Sequence, residues 1–138
     1  MTRLTRDQHA WALAVQGGPD MPPEKPRRKR TDRTHEKEVS VAVRKALAAH
    51  PRVAWSTRIN RGVASYGQHG ERKVPFNYMP GMSDRIGQLT DGRFLAVEVK
   101  APGEDPTPAQ RAFIDRVNAA GGVAFVARGA EDVLNHLQ

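Results

Sequence analysis

From Glu36 to Ala49 apolar side chains return every fourth residue, at Val39, Val43 and Leu47, with Ala42 and Ala46 beside them. That period predicts an amphipathic helix. His50-Pro51 ends it, because a residue before proline is pushed out of helical backbone. Val53–Ile59 reads as a strand. Residues 60–80 are rich in glycine and charge, with one short strand expected at Val74–Tyr78. Asp84–Leu89 and Arg93–Lys100 read as two strands joined across Thr90-Asp91-Gly92, a hairpin signal. Thr107-Pro108 then supplies an N-cap followed by proline at the first helical position. Phe113, Ile114, Val117 and Ala120 give that helix its apolar face, and Gly121-Gly122 closes it. Val123–Ala127 has the pattern of a short buried strand. Residues 130–137 form a last helix with Val133, Leu134 and Leu137 expected inward. The order α-β-(β)-β-β-α-β-α is that of an α/β fold with a central mixed β-sheet flanked by helices.

The first 33 residues break this regularity. Gly17-Gly18-Pro19, Pro22-Pro23 and Pro26 discourage repeating structure. A short helix fits Thr5–Val15, where Trp11 and Leu13 would need a covering surface. The chain therefore divides into a largely flexible basic arm over 1–33 and a folded body over 34–138.

Charge sharpens that division. The 138 residues carry 22 Lys+Arg against 15 Asp+Glu, a formal net charge of +7. Eight basic and four acidic side chains lie in 1–33, which leaves only +3 on the body. A basic chain favours a polyanionic partner, nucleic acid first. The arm reads equally as a DNA tether or as a solvated tail. The absence of cysteine excludes disulfide scaffolds, thiol nucleophiles and thiolate zinc sites, and suits a reducing cytoplasm. No apolar run approaches the ~18–20 residues of a membrane span. No charged start followed by an apolar stretch marks a secretory leader.

Candidate chemistry gathers on the hairpin. Side chains alternate across a strand, so Glu98 and Lys100 share a face with Ala96 and Phe94, opposite Leu95, Val97 and Val99. A strand end emerging into solvent would also explain two charges there. With a three-residue loop over 90–92, however, Asp84 lies opposite Glu98, and facing residues have Cβ atoms ~4.5–5.5 Å apart. Two carboxylates that close repel unless a cation lies between them, and hard oxygen donors suit Mg²⁺. A two-residue Asp91-Gly92 turn would instead place Asp84 opposite Val99 and undo the pairing. At 100° per residue Glu36 falls within 20° of Val43 and Leu47, so it points along the apolar stripe toward the sheet. It also suits a helix N-terminus electrostatically. Gln110 begins the buried face of its own helix, while Thr107-x-x-Gln110 matches a capping box. Three acids, a lysine and a glutamine aimed at one sheet face fit metal-assisted phosphodiester hydrolysis, with Lys100 placing water or meeting transition-state charge.

Pro80-Gly81-Met82-Ser83-Asp84, Ile86-Gly87, Asp91 through Lys100, Thr107-Pro108-x-Gln110 and Gly121-Gly122 together resemble the VRR-NUC domain, the virus-type replication-repair nuclease branch of the PD-(D/E)xK superfamily. Glu36 fits the N-terminal helix acid of that family, and Arg58-x-Asn60-Arg61-Gly62 resembles the segment after its first strand. The likeness runs over about 34–138. It implies a restriction-endonuclease-like core, Asp84 and Glu98 as metal ligands with the Val99 carbonyl, Lys100 as the catalytic lysine, and Glu36 and Gln110 as supporting active-site residues. It implies a Mg²⁺-dependent DNA endonuclease, with Mn²⁺ substituting. Stand-alone members resemble phage enzymes that are homodimers and cut branched DNA such as four-way junctions. That places the protein in the cytoplasm of a bacterial or phage-infected host cell, with no membrane partner.

In residues 58–73, Arg58, Asn60, Arg61, Arg72 and Lys73 are interleaved with Tyr66 and His69. Cations among aromatics suit phosphate contact and base stacking, although loops are commonly polar. No His pair has zinc-ligand spacing. Two other classes compete with the nuclease: a catalytically silent DNA-binding or packaging accessory, and a small basic ribonucleoprotein component. Neither explains paired acids on a DNA-facing hairpin, which repel a polyanion unless a metal intervenes.

Overall fold

A computed structural model describes residues 30–60, 62–75 and 79–138, with side chains from Thr34 onward. The expected helix at Thr5–Val15, Arg61 and the end of the expected strand at Val74–Tyr78 lie outside the described residues. The first described element is helix α1 (Arg30–Ala49), which begins six residues before the apolar period does. It ends at Ala49, ahead of His50-Pro51 as expected. Strands β1 (Val53–Arg58), β2 (Val63–Tyr66), β3 (Arg72–Pro75), β4 (Arg85–Leu89) and β5 (Phe94–Val99) follow. Helix α2 (Pro108–Ala119), strand β6 (Val123–Ala127) and helix α3 (Ala130–His136) complete the body.

The central sheet has the order β1-β4-β5-β6. Its first three strands are antiparallel, and β6 joins β5 in parallel after the α2 crossover, so the sheet is mixed. Each face buries its own core. Leu95, Val97 and Val99 on one face pack with Val43 and Leu47 of α1 and with Val133 and Leu137 at α3. Ala96 and Ala124 on the other face meet Phe113 of α2, with Ile114 and Val117 packed alongside. Leu134, expected inward, is instead exposed. With Val133 and Leu137 filling the α3 contact, Leu134 stands about 100° away around a helix too short to bury two stripes.

The hairpin register is the one that three loop residues impose. Ile86 pairs with Ala96 and Gly87 with Leu95, and the Leu89 N–H donates to the Arg93 carbonyl. Gly92 takes φ +92°, a backbone state open to glycine. The Asp91 carboxylate accepts from the Arg93 backbone N–H at 3.1 Å and from its guanidinium at 2.9 Å. The backbone bond first, and the guanidinium second, hold its carboxyl below the usual range. Continued one residue beyond β4, this register sets Asp84 against Glu98.

Residues 60–80 differ from expectation. The short strand is Arg72–Pro75, and it has a partner: β2 pairs with β3 as a separate ribbon, Tyr66 opposite Arg72 and Ser65 opposite Lys73. β2 escapes a sequence reading because Val63-Ala64-Ser65-Tyr66 is too short and too exposed to show alternation. Among the described residues no helix is long and apolar enough to cross a membrane.

Candidate active site

The end of β5 carries the first cluster. Glu98 is 0% exposed, which excludes a strand end running into solvent. Burying a carboxylate is costly unless it is paired and hydrogen-bonded. Here the Lys100 ammonium lies 3.3 Å from Glu98 Oε1, its side chain 12% exposed, and Gln110 Nε2 donates to the same oxygen at 2.6 Å.

Gln110 serves two elements at once. Its Oε1 accepts from the Thr107 N–H at 2.8 Å, and its own N–H donates to Thr107 Oγ1 at 3.3 Å, so the capping box of α2 is complete. The amide has one acceptor end and one donor end. With the acceptor engaged at the cap, the donor end is left facing Glu98. Capping and site support, read from the sequence as alternatives, coexist in one side chain.

Asp84 sits just before β4. Its Oδ2 accepts from the Val99 N–H at 3.0 Å, extending the β4–β5 ladder by one side-chain bond. In an antiparallel pair a residue's N–H and C=O point to the same side, so the Val99 carbonyl also faces the Asp84 strand. The approach to Asp84 is fixed from behind by Gly81 at φ +73°, where a Cβ would stand 2.1 Å from the Ala109 carbonyl oxygen. The 80–83 loop thus rests directly on the first turn of α2, which also carries Gln110.

Glu36 reaches the site from the other side. It lies on α1, which covers the Leu95/Val97/Val99 face, whereas Gln110 lies on α2 across the sheet. The expected gathering of all five groups on one sheet face is therefore corrected. Glu98, Lys100 and Gln110 form one group. Glu36 and Asp84 line a cleft of about 270 Å³ together with Arg58 and Val99. The two groups meet at the ends of β4 and β5, through the Asp84–Val99 bond. Glu38, about 200° around the helix from Glu36, is exposed. Among the described residues, no three His, Asp or Glu side chains are grouped as a ready ligand set.

Lys37, Ser40 and Arg85 also line the cleft, and sequence reasoning missed them. Arg85 alone left a trace: it shares the buried parity of Gly87 and Leu89, where a charge is out of place. Of the residues read as DNA contacts, Arg58 is in the cleft and Asn60 is exposed after the Ile59 N–H, which bonds the Asp84 carbonyl. Tyr66, His69, Arg72 and Lys73 are exposed on the β2–β3 ribbon. Glu71 sits among them, its carboxyl held below the usual range by its own backbone N–H and that of His69.

The family profile of the VRR-NUC domain matches residues 28–131. A DNA mismatch repair protein MutL of Rhodopseudomonas palustris (strain BisA53) is 27% identical over 157 aligned residues, covering 91% of this chain. The chain spans about a quarter (24%) of the length of that curated relative. No solved structure matches it.

Proposed function

Because the chain belongs to the VRR-NUC domain family, a family of nucleases, we propose that it is a Mg²⁺-dependent DNA endonuclease that hydrolyses phosphodiester bonds. The observation that carries this reading is the buried Glu98–Lys100–Gln110 group, one residue from the Asp84–Val99 bond. Asp84 and Glu98, paired on one hairpin, would repel a polyanion unless a metal intervened, which favours the nuclease over a binding module.

The donor set fits a hard divalent cation. Two carboxylates and a backbone carbonyl are all oxygen, and Mg²⁺ takes few protein ligands and keeps several waters. Asp84, Glu98 and the Val99 carbonyl would hold it, with Mn²⁺ substituting. When bound, it supplies Lewis acidity toward a phosphoryl oxygen and an acidified water. Lys100, held 3.3 Å from Glu98 Oε1, would meet the negative charge that develops on the phosphate and orient the attacking water by hydrogen bonding. Gln110 fixes the Glu98 rotamer, so neither group must reorganise during reaction. Glu36, on the facing wall, completes the acidic side of the cleft.

The finer reading is selectivity for branched DNA such as four-way junctions, by a homodimer that brings one site to each strand. It would act in replication, recombination or repair in the cytoplasm of a bacterial or phage-infected cell. The name of the MutL relative supports the repair setting. The test is incubation with end-labelled junction, flap and linear duplex DNA in Mg²⁺, Mn²⁺ or EDTA, beside Asp84→Asn. Metal-dependent cutting that the variant lacks is expected, and the preferred substrate identifies the branch. Binding without cutting in any metal would return the silent accessory protein.

A further inference from the structure

Arg85 is held against its own electrostatics. The residue is more than nine-tenths buried (8% exposed). One terminal nitrogen donates to Ser56 Oγ at 3.3 Å. Its Nε is buried with no hydrogen-bond partner among the described residues. A buried, under-satisfied cation that shares a cleft with Lys37 and Arg58 costs stability, which an anion bound there would offset.

The cleft in front of it is built for such a group. Lys37, Ser40 and Arg58 line it with Arg85, adding two cations and a hydroxyl. The three cations exceed the two carboxylates, Glu36 and Asp84, on the same walls. Its volume of about 270 Å³ falls just below the ~300–1,000 Å³ of ordinary small-ligand sites, ample room for a phosphate group. A guanidinium fork matches two phosphate oxygens at once. Arg85 also stands next to Asp84 in sequence, so an anion it held would be fixed relative to the proposed reaction centre.

We propose that Arg85, with Arg58, Lys37 and Ser40, forms a subsite for one backbone phosphate of bound DNA, in the same cleft as Asp84 and beside the proposed reaction centre. The assignment rests on DNA being the substrate, though not on catalysis. The subsite positions the strand. Neutralising it removes one phosphate contact, whatever the base sequence.

The experiment is binding of a short random-sequence duplex in EDTA over a series of KCl concentrations, for wild type and Arg85→Met, with thermal melts of both. Arg85→Met is expected to bind roughly tenfold more weakly. Its log–log salt slope should fall by about one, and its Tm should equal or exceed that of wild type. An unchanged slope, or a lowered Tm with wild-type binding, overturns the proposal and makes Arg85 a structural residue. Should Arg85→Met not fold, Arg58→Gln at an exposed position carries the test. Its slope must also fall by about one, and an unchanged slope overturns the subsite. A wild type that binds but cuts nothing in Mg²⁺ defeats the nuclease reading while this one stands. Cutting with an unchanged Arg85→Met slope does the reverse. No salt-dependent binding by wild type defeats both.

Discussion

Glu98 is where chemistry and stability are least separable. It is fully buried, and Lys100 and Gln110 share its Oε1. Removing one partner of a buried ion pair leaves an uncompensated charge and costs about 3–5 kcal/mol. Lys100→Ala should therefore abolish cleavage, leave DNA binding largely intact below its melting point, and lower Tm. Combining Lys100→Met with Glu98→Gln should restore most of the Tm without restoring any cleavage. Chemical denaturation alongside a cleavage assay checks both, and cleavage retained by Lys100→Ala would end the role assigned to it. Gln110→Ala should cost about 1–3 kcal/mol, because it loses a cap bond and a contact to a buried carboxylate together. Thr107→Ala loses only the cap, so the difference between the two urea midpoints reads the Glu98 contact.

Among the elements, the hairpin and the first turn of α2 hold the site, and the 80–83 loop ties them together. Gly81 shows how tightly. Its positive φ and the Ala109 carbonyl oxygen 2.1 Å from a Cβ leave room only for hydrogen. Gly92 has a similar φ with nothing within 4 Å. Gly92→Ala should cost only the backbone strain, about 1–2 kcal/mol. Gly81→Ala should cost more and shift the loop bearing Asp84, so it alone should also reduce cleavage. Equal losses of stability in urea melts would show that the 80–83 loop does not rest on α2. The far end of α2 closes with Gly121 at φ +89°, and the Gly122 N–H bonds the Val117 carbonyl, a Schellman ending that fixes where β6 begins.

For the whole molecule, charge is arranged around a weakly basic body. The ribbon presents Arg72 and Lys73 on its exposed surface, and the cleft adds Lys37, Arg58 and Arg85. Neutralising Arg72 and Lys73 together to Gln should weaken duplex binding about equally across sequences and lower the salt slope by up to about two. Folding should be unaffected, because both side chains are exposed. Anisotropy titrations over a KCl series check this. A preserved slope would remove the ribbon from the DNA interface.

How much of this was legible follows from sequence separation. The capping box spans three residues, the hairpin register depends on the length of one loop, and helix ends are marked by His50-Pro51 and Gly121-Gly122. The capping box and helix ends are decided by neighbours along the chain, so sequence alone determined them. The loop length, open between two and three residues in the sequence, was settled by the β4–β5 pairing, and with it the facing of Asp84 and Glu98. Leu134 turned outward because packing against the sheet selects one stripe of a short helix. Glu36 was placed on the wrong face for a similar reason. A helical period shows which way a side chain points from its own axis, but not which side of a sheet the helix covers. The β2–β3 pairing and the cleft that gathers Lys37, Ser40 and Arg58 around Arg85 rest on contacts between distant segments. Local propensity carries no record of those contacts. Burial exists only once the chain has closed, so the tertiary structure alone decided that Arg85 is a buried cation whose Nε has no partner among the described residues.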